Sequence, residues 1–331
     1  AFDADLSKWK TSKVTNMSEM FISGFYQVVR NYGWNALGVV SPGMMAFKGT
    51  GVSEWDTSNV TNMGEMFRNC VAFDADLSKW KTSNVTNMHK MFWHCVHFKG
   101  TDLSEWNVSN VTDMREMFDG CTSFKGTGLS GWNVSNVTIM GWMFDGCTSF
   151  DADLSEWNVS KVTDMEMMFK DCTAFKGTGL SGWNVSNVTE MSYMFSGCTA
   201  FKGTGLSEWD VSKVTDMELM FDGCTDFDVD LKEWETSNVR IMHYMFKDCE
   251  SFNSELGRWR TSNVTSMRGM FYGCTAFDAD LSEWKVSNVT NMRLMFSGCT
   301  AFDADLSKWK VSKVTDMASM FSNCVAFDAD L

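Results

Sequence analysis

Residues 277–301 read F-D-A-D-L-S-E-W-K-V-S-N-V-T-N-M-R-L-M-F-S-G-C-T-A, and the same phrase returns with small changes along a chain of 331 residues. Its plainest marker is tryptophan, at Trp9, Trp55, Trp80, Trp106, Trp132, Trp157, Trp183, Trp209, Trp234, Trp259, Trp284 and Trp309, with steps of 25 or 26 after the first gap. A period of that length means stacked coils, each touching mainly its neighbours. No Pro/Ser-rich linker divides the chain, so a single repeat solenoid of about 13 coils is predicted over residues 1–331.

Within a coil, L-S-x-W-x-V/T carries apolar residues at its first, fourth and sixth places, which suits a short strand. In V-T-x-M-x-x-M-F, Met and Phe fall three to four residues apart, as one side of a helical or 3-10 turn requires. Each coil is therefore expected to be one short parallel strand, a corner, a short helical turn and a return. Many 26-residue units exchange F-D-A-D-L for F-K-G-T-G-L, as at Phe124 to Leu129, where the glycines permit positive φ in a larger surface turn. The repeat breaks at residues 22–46. Because Trp34 lies 25 residues after Trp9, and Val39 and Met45 fit core positions, a degenerate coil is expected there rather than an inserted loop.

Apolar residues make up 44% of the chain, enough for a continuous core, and no stretch approaches the roughly 18 apolar residues of a membrane span. Lys and Arg number 28 against 42 Asp and Glu, a net charge of −14, which argues against a nucleic-acid or anionic-membrane surface. The chain starts within a repeat at Ala1, and begins and ends on A-F-D-A-D-L in one phase with no polar cap. That predicts either a segment of a longer array or end-to-end self-association into a fibre.

L-S-x-W-x-V-S-N-V-T-x-M-x-x-M-F-x-x-C-x-x-F, as at Leu103 to Phe124 and Leu180 to Phe201, resembles the BspA-like leucine-rich-repeat surface proteins. The resemblance extends over nearly the whole chain. It implies a leucine-rich-repeat-like right-handed solenoid, an extracellular or cell-surface location, and a binding or structural role with surface proteins or glycans as partners. No cofactor is expected.

Several constellations invite chemistry. Eleven cysteines, from Cys70 to Cys324, hold one position of successive coils; a buried thiol ladder is the better reading, since in-register Cβ vectors fit a disulfide poorly. Twenty-four of 27 methionines form paired ladder positions beside Phe, as core does, although Met with Cys is also a soft-metal pattern. His89, His94 and His97 with Cys95 resemble a zinc set, but Cys95 belongs to the buried ladder. Asp278, Asp280, Asp303, Asp305, Asp328 and Asp330 would stack carboxylates in the last coils, so calcium or lysine must screen them; K-G-T coils supply the lysines. Serines and threonines at the corners are expected to bond local backbone, with an ordered-water array as the other reading. Glycosylation sequons include Asn59, Asn84, Asn110, Asn136, Asn187, Asn263 and Asn288, all products of the repeat.

A periodic chain offers a dozen near-identical sites where catalysis needs a singular one, so an enzyme is not expected. Two functions follow. Uniform coils suit a filament or coat; a binding module should vary along one face. At the x of S-x-W-x the residues are nearly all Lys, Glu, Gly and Asn, which favours the structural role.

Overall fold

The stack is held by backbone hydrogen bonds between coils, and the phase of those bonds fixes every other contact. The computed structural model describes residues 3–22, 45–101 and 103–328. Among the described residues, eleven isolated parallel bridges join twelve coils, running Asn16, Asn62, Asn87, Asp113, Ile139, Asp164, Glu190, Asp216, Ile241, Ser266, Asn291 and Asp316. Around each bridge alternate amides reach across: the Met63, Glu65, Phe67 and Asn69 N–H groups donate to the carbonyls of Asn87, His89, Met91 and Trp93 at 2.7–3.0 Å. This is the parallel solenoid expected, but its ladder lies in T-x-M-x-x-M-F-x-x, the segment whose spacing predicts a helical turn.

The spacing of three has a different cause. Between the cross-coil bonds the Met66 amide donates to the Met63 carbonyl and the Cys70 amide to Phe67, closing two consecutive turns. Their third residues, Glu65 at φ 57° and Asn69 at φ 62°, are left-handed, as type II turns require. Two such turns carry both Met and the Phe to one side without winding a helix. Conversely L-S-x-W is a turn, not a strand: the Trp80 amide donates to the Leu77 carbonyl at 3.1 Å, and three coils tighten here into 3-10 helices at Val52–Glu54, Leu103–Glu105 and Leu180–Gly182. Ahead of the last of these, Gly179 has φ 93° and sits against the preceding coil, where a Cβ would run into the Ser155 backbone nitrogen. That close approach explains why the longer turn carries glycine.

The columns Leu, Trp, Val, Met, Met, Phe, Cys and Phe form one continuous buried core. Trp106 stacks on Trp132 with centroids 6.1 Å apart and planes 3° from parallel. Each indole also ties coils together, as when Trp183 Nε1–H donates to the Leu154 carbonyl at 3.2 Å. The thiols do likewise: Cys198 Sγ–H donates to the Phe169 carbonyl at 2.9 Å. All eleven cysteines are free and all but Cys324 are buried. Burial pushes the Cys70 thiol up to about 12 and holds the deeper Cys95 and Cys198 thiols well above their ordinary range, so they stay protonated.

The first coil stacks directly on the one that begins at Phe47. Asn16 bridges to Asn62, and Trp9 lies 5.8 Å from Trp55 in parallel planes. Phe21 and Phe47 pack at 4.5 Å just as Phe67 and Phe73 do at 4.0 Å, although 26 residues separate the first pair and six the second. The coil of Trp9 and the coil of Trp55 are thus direct neighbours in the stack, and the degenerate coil expected at 22–46 falls almost wholly on residues that the structure does not describe. Residues 23–44, with Trp34 and Pro42, lie outside the described residues.

Candidate functional site: the ladder face

Because the ladder runs through T-x-M-x-x-M-F-x-x-C, the five x positions of each coil share one face, and they vary where the core columns do not. Between the two Met the second x is Lys90, Glu116, Trp142, Met167, Tyr193, Leu219 and Tyr244 in successive coils. From Trp142 to Tyr244 that column is large and apolar or aromatic in five consecutive coils, and each of these side chains is half-buried. All five have positive φ, between 50° and 58°. Left-handed backbone costs a bulky L-residue about 1 kcal/mol or more, and none of these side chains enters the core. The last x, before Cys, is also left-handed but holds only Gly, Asn, Asp and His, which tolerate it.

Side chains in and beside the column touch. Trp142 Nε1–H points at Met167 Sδ, 2.6 Å away, and the Arg268 guanidinium covers the Tyr244 ring at 5.3 Å. Beside the column lie Asp145, Asp164, Glu166, Asp171, Glu190, Asp216, Glu218 and Asp222, with Lys170 the one cation at the ladder positions of those coils. Burial would depress Lys170, but Asp145 at 3.3 Å and Asp171 at 2.5 Å outweigh it and hold its ammonium above the ordinary range. Burial raises Glu190, Asp216, Glu218 and Asp222, the last in spite of Lys247 at 2.8 Å. Arginines and histidines flank the acidic stretch at Arg68, His89 and Arg115 on one side and His243, Arg268 and Arg293 on the other. A groove of about 1060 Å³ follows this face from Trp93 to Glu218.

The residues singled out in the sequence fall elsewhere. Asp278 Oδ1 accepts the Asp303 amide at 2.8 Å and Asp303 Oδ1 the Asp328 amide at 2.9 Å. Asp280 and Asp305 each accept their own coil's Ser amide at 2.8 Å, and Asp330 lies outside the described residues. Among the described residues no group of three or more His, Cys, Asp or Glu is placed to hold a metal ion. Lysine does screen part of the aspartate column, since Lys99 pairs with Asp74 and Lys176 with Asp151. The zinc set is not assembled: Cys95 donates to the Phe67 carbonyl, the His94 ring packs edge-on against Trp93, and His97 is exposed.

The sequon asparagines join coils. Asn59, Asn84, Asn110, Asn136, Asn187, Asn263 and Asn288 donate through Nδ2 to a Ser carbonyl of the preceding coil at 2.6–2.8 Å. Thr hydroxyls form a parallel column, as Thr189 to the Thr163 carbonyl at 3.2 Å. The polar corners therefore serve the backbone, as their types suggested.

A family model described as "Mycoplasma protein of unknown function, DUF285" matches residues 1–41, 40–101, 94–203, 174–263 and 254–331. A leucine-rich cell surface protein from Faecalibacterium prausnitzii is similar in structure at 19% identity, over 82% of this chain and 76% of that one, with a TM-score of 0.38. Leucine-rich-repeat proteins from Bacteroides ovatus (13% identity, 86% and 80%, TM-score 0.33) and Eubacterium ventriosum (14%, 83% and 77%, TM-score 0.32) are similar too. These likenesses are too distant to carry a function across. No relative is found among curated proteins.

Proposed function

Since the chain belongs to the DUF285 repeat family, whose description assigns no function, we propose from its own residues that it is a non-enzymatic binding module acting at a cell surface or outside the cell, with the ladder face as its recognition surface. The observation that carries this is the column Trp142, Met167, Tyr193, Leu219 and Tyr244, held left-handed on a half-exposed face. Residues kept at a backbone cost, with no core to repay it, are characteristic of binding sites. The surface location rests on the resemblance of the repeat to surface proteins. Side-chain variation from coil to coil suits an irregular partner and weighs against the filament that uniform S-x-W-x positions suggest.

The test is surface plasmon resonance against immobilised extracellular-matrix proteins and glycans, using the native chain and two matched triple variants. Glu190→Gln/Asp216→Asn/Glu218→Gln alters the ladder face; Glu105→Gln/Glu156→Gln/Glu208→Gln alters exposed S-x-W-x positions elsewhere. Binding changed by the first and not the second supports the reading. Equal responses would remove it. Mass photometry of the same samples reads end-to-end assembly, for which a ladder of multiples of the 37.4 kDa chain is the signature.

A further inference from the structure

We propose that the groove of the ladder face binds an extended cationic polypeptide segment, rich in Lys or Arg, laid across the coils from Trp142 to Leu219; this rests on the binding-module reading above and names its ligand class. Met167 and Tyr193 of the column line the groove together with Glu190, Asp216 and Glu218, and Trp142 packs on Met167 at its edge. Among the described residues, no lysine or arginine salt bridge is formed by Glu190, Asp216 or Glu218. Glu190 accepts the Ser192 amide at 3.0 Å and the Ser192 hydroxyl, Asp216 accepts the Glu218 amide at 2.8 Å and faces His243, and Glu218 accepts the Tyr193 hydroxyl. A carboxylate that keeps a lone pair toward a groove while burial opposes its charge gains most from an incoming ammonium or guanidinium.

The alternation of aromatic and acidic side chains is what an extended basic segment matches. Guanidinium and ammonium groups stack on Trp and Tyr faces while bonding carboxylates alongside. A neutral glycan would use the rings but gain nothing from the charge, and an anionic partner would be repelled. Coils spaced by about 4.8 Å put Trp142 and Leu219 roughly 14 Å apart, so about four to five extended residues at about 3.3 Å each span the stretch. The basic residues at both ends of the face set the register, since a long uniformly basic chain meets Arg115 or His243 beyond the acidic stretch.

The experiment is fluorescence anisotropy of the full chain with fluorescein-labelled octalysine, octaglutamate and a neutral cello-oligosaccharide. Octalysine is expected to bind, octaglutamate not, and the octalysine Kd to weaken at least tenfold in Glu190→Gln/Asp216→Asn/Glu218→Gln but less than twofold in Glu105→Gln/Glu156→Gln/Glu208→Gln. Raising salt from 50 to 500 mM with the unaltered protein checks the same point without a variant, with a further tenfold loss expected. Octalysine binding that ignores the ladder-face variant, or survives high salt, overturns the proposal. If the oligosaccharide binds instead and loses affinity in the ladder-face variant, the face is a binding site and the cationic class is wrong. If neither probe responds to the ladder-face variant more than to the control, both readings fall. Dimers of the chain that vanish in the ladder-face variant would make the occupant the basic flank of a second copy and refute the proposal.

Discussion

Replacing Trp183 with alanine should open the solenoid locally and leave distant coils intact. The indole is 4% exposed, stacked between Trp157 at 6.4 Å and Trp209 at 6.2 Å, and tilted against Phe169 at 6.2 Å. Removing roughly 200 Å² of buried aromatic surface at about 25 cal/mol per Å² costs about 5 kcal/mol. Loss of the hydrogen bond to Leu154 adds only about 1 kcal/mol, because that carbonyl still accepts the Trp157 amide and is not orphaned. Trp183→Phe keeps the stack and loses the N–H, so it should cost about 1–2 kcal/mol. In a one-dimensional stack such losses act on a coil and its two interfaces. Hydrogen exchange by mass spectrometry, peptide by peptide, should therefore show collapsed protection at the ladder amides of Met165 and Met191 and native protection at Met292. Uniform loss of protection from end to end, or none at all, would refute the reasoning.

Glu218→Gln should raise the melting temperature at pH 7, with the gain shrinking as pH falls. The sign follows from burial, which raises the folded pKa of Glu218 above its unfolded value, so its charge destabilises the fold above that pKa and the penalty is relieved by protonation. Thiol reagents on the native chain should modify Cys324, which is half-buried, and spare the ten buried cysteines until the coils unfold in denaturant, as a mass count of adducts would read. Gly179→Ala should lower stability by about 1–3 kcal/mol in urea titration, because it meets both a φ of 93° and the Ser155 backbone.

The period, the single core and its columns were legible because burial selects residue type: a Trp every 25 or 26 positions has no other explanation than a stacked core. Which segment carries the ladder was not. M-x-x-M has the spacing of a helix, and apolar spacing alone does not distinguish a helical turn from two left-handed turns in series. One signal was present, for the position before Cys is Asn69, His94, Gly120, Gly146, Asp171, Gly197, Gly223, Asp248, Gly273 and Gly298. Such a column contains only the residues that tolerate positive φ, and it marks a turn where a helix would want Ala, Leu or Lys. The variable face goes with the ladder positions, and the S-x-W-x positions lie outside it. Spacing alone did not identify the neighbour of the first coil, since Trp34 falls 25 residues after Trp9 but Trp55 is the residue that stacks on it.

The two left-handed columns carry the functional argument between them. Both have the same backbone requirement, yet the one before Cys obeys it and the one between the methionines does not. If the fold alone selected residues, glycine or asparagine would suit both, and Gly269 shows that the second column accepts glycine: the Tyr244 ring simply folds over it. Trp142, Met167, Tyr193, Leu219 and Tyr244 therefore occupy their positions against the backbone preference, on the face where carboxylates are also held half-buried against theirs. Replacing Leu219 by glycine should separate the two demands. Relief of φ 50° contributes about 1 kcal/mol of stability, offset in part by lost contacts with the neighbouring column. Affinity for any ligand of this face should fall. A variant more stable and equally competent to bind would mean that the column serves the stack and not a partner.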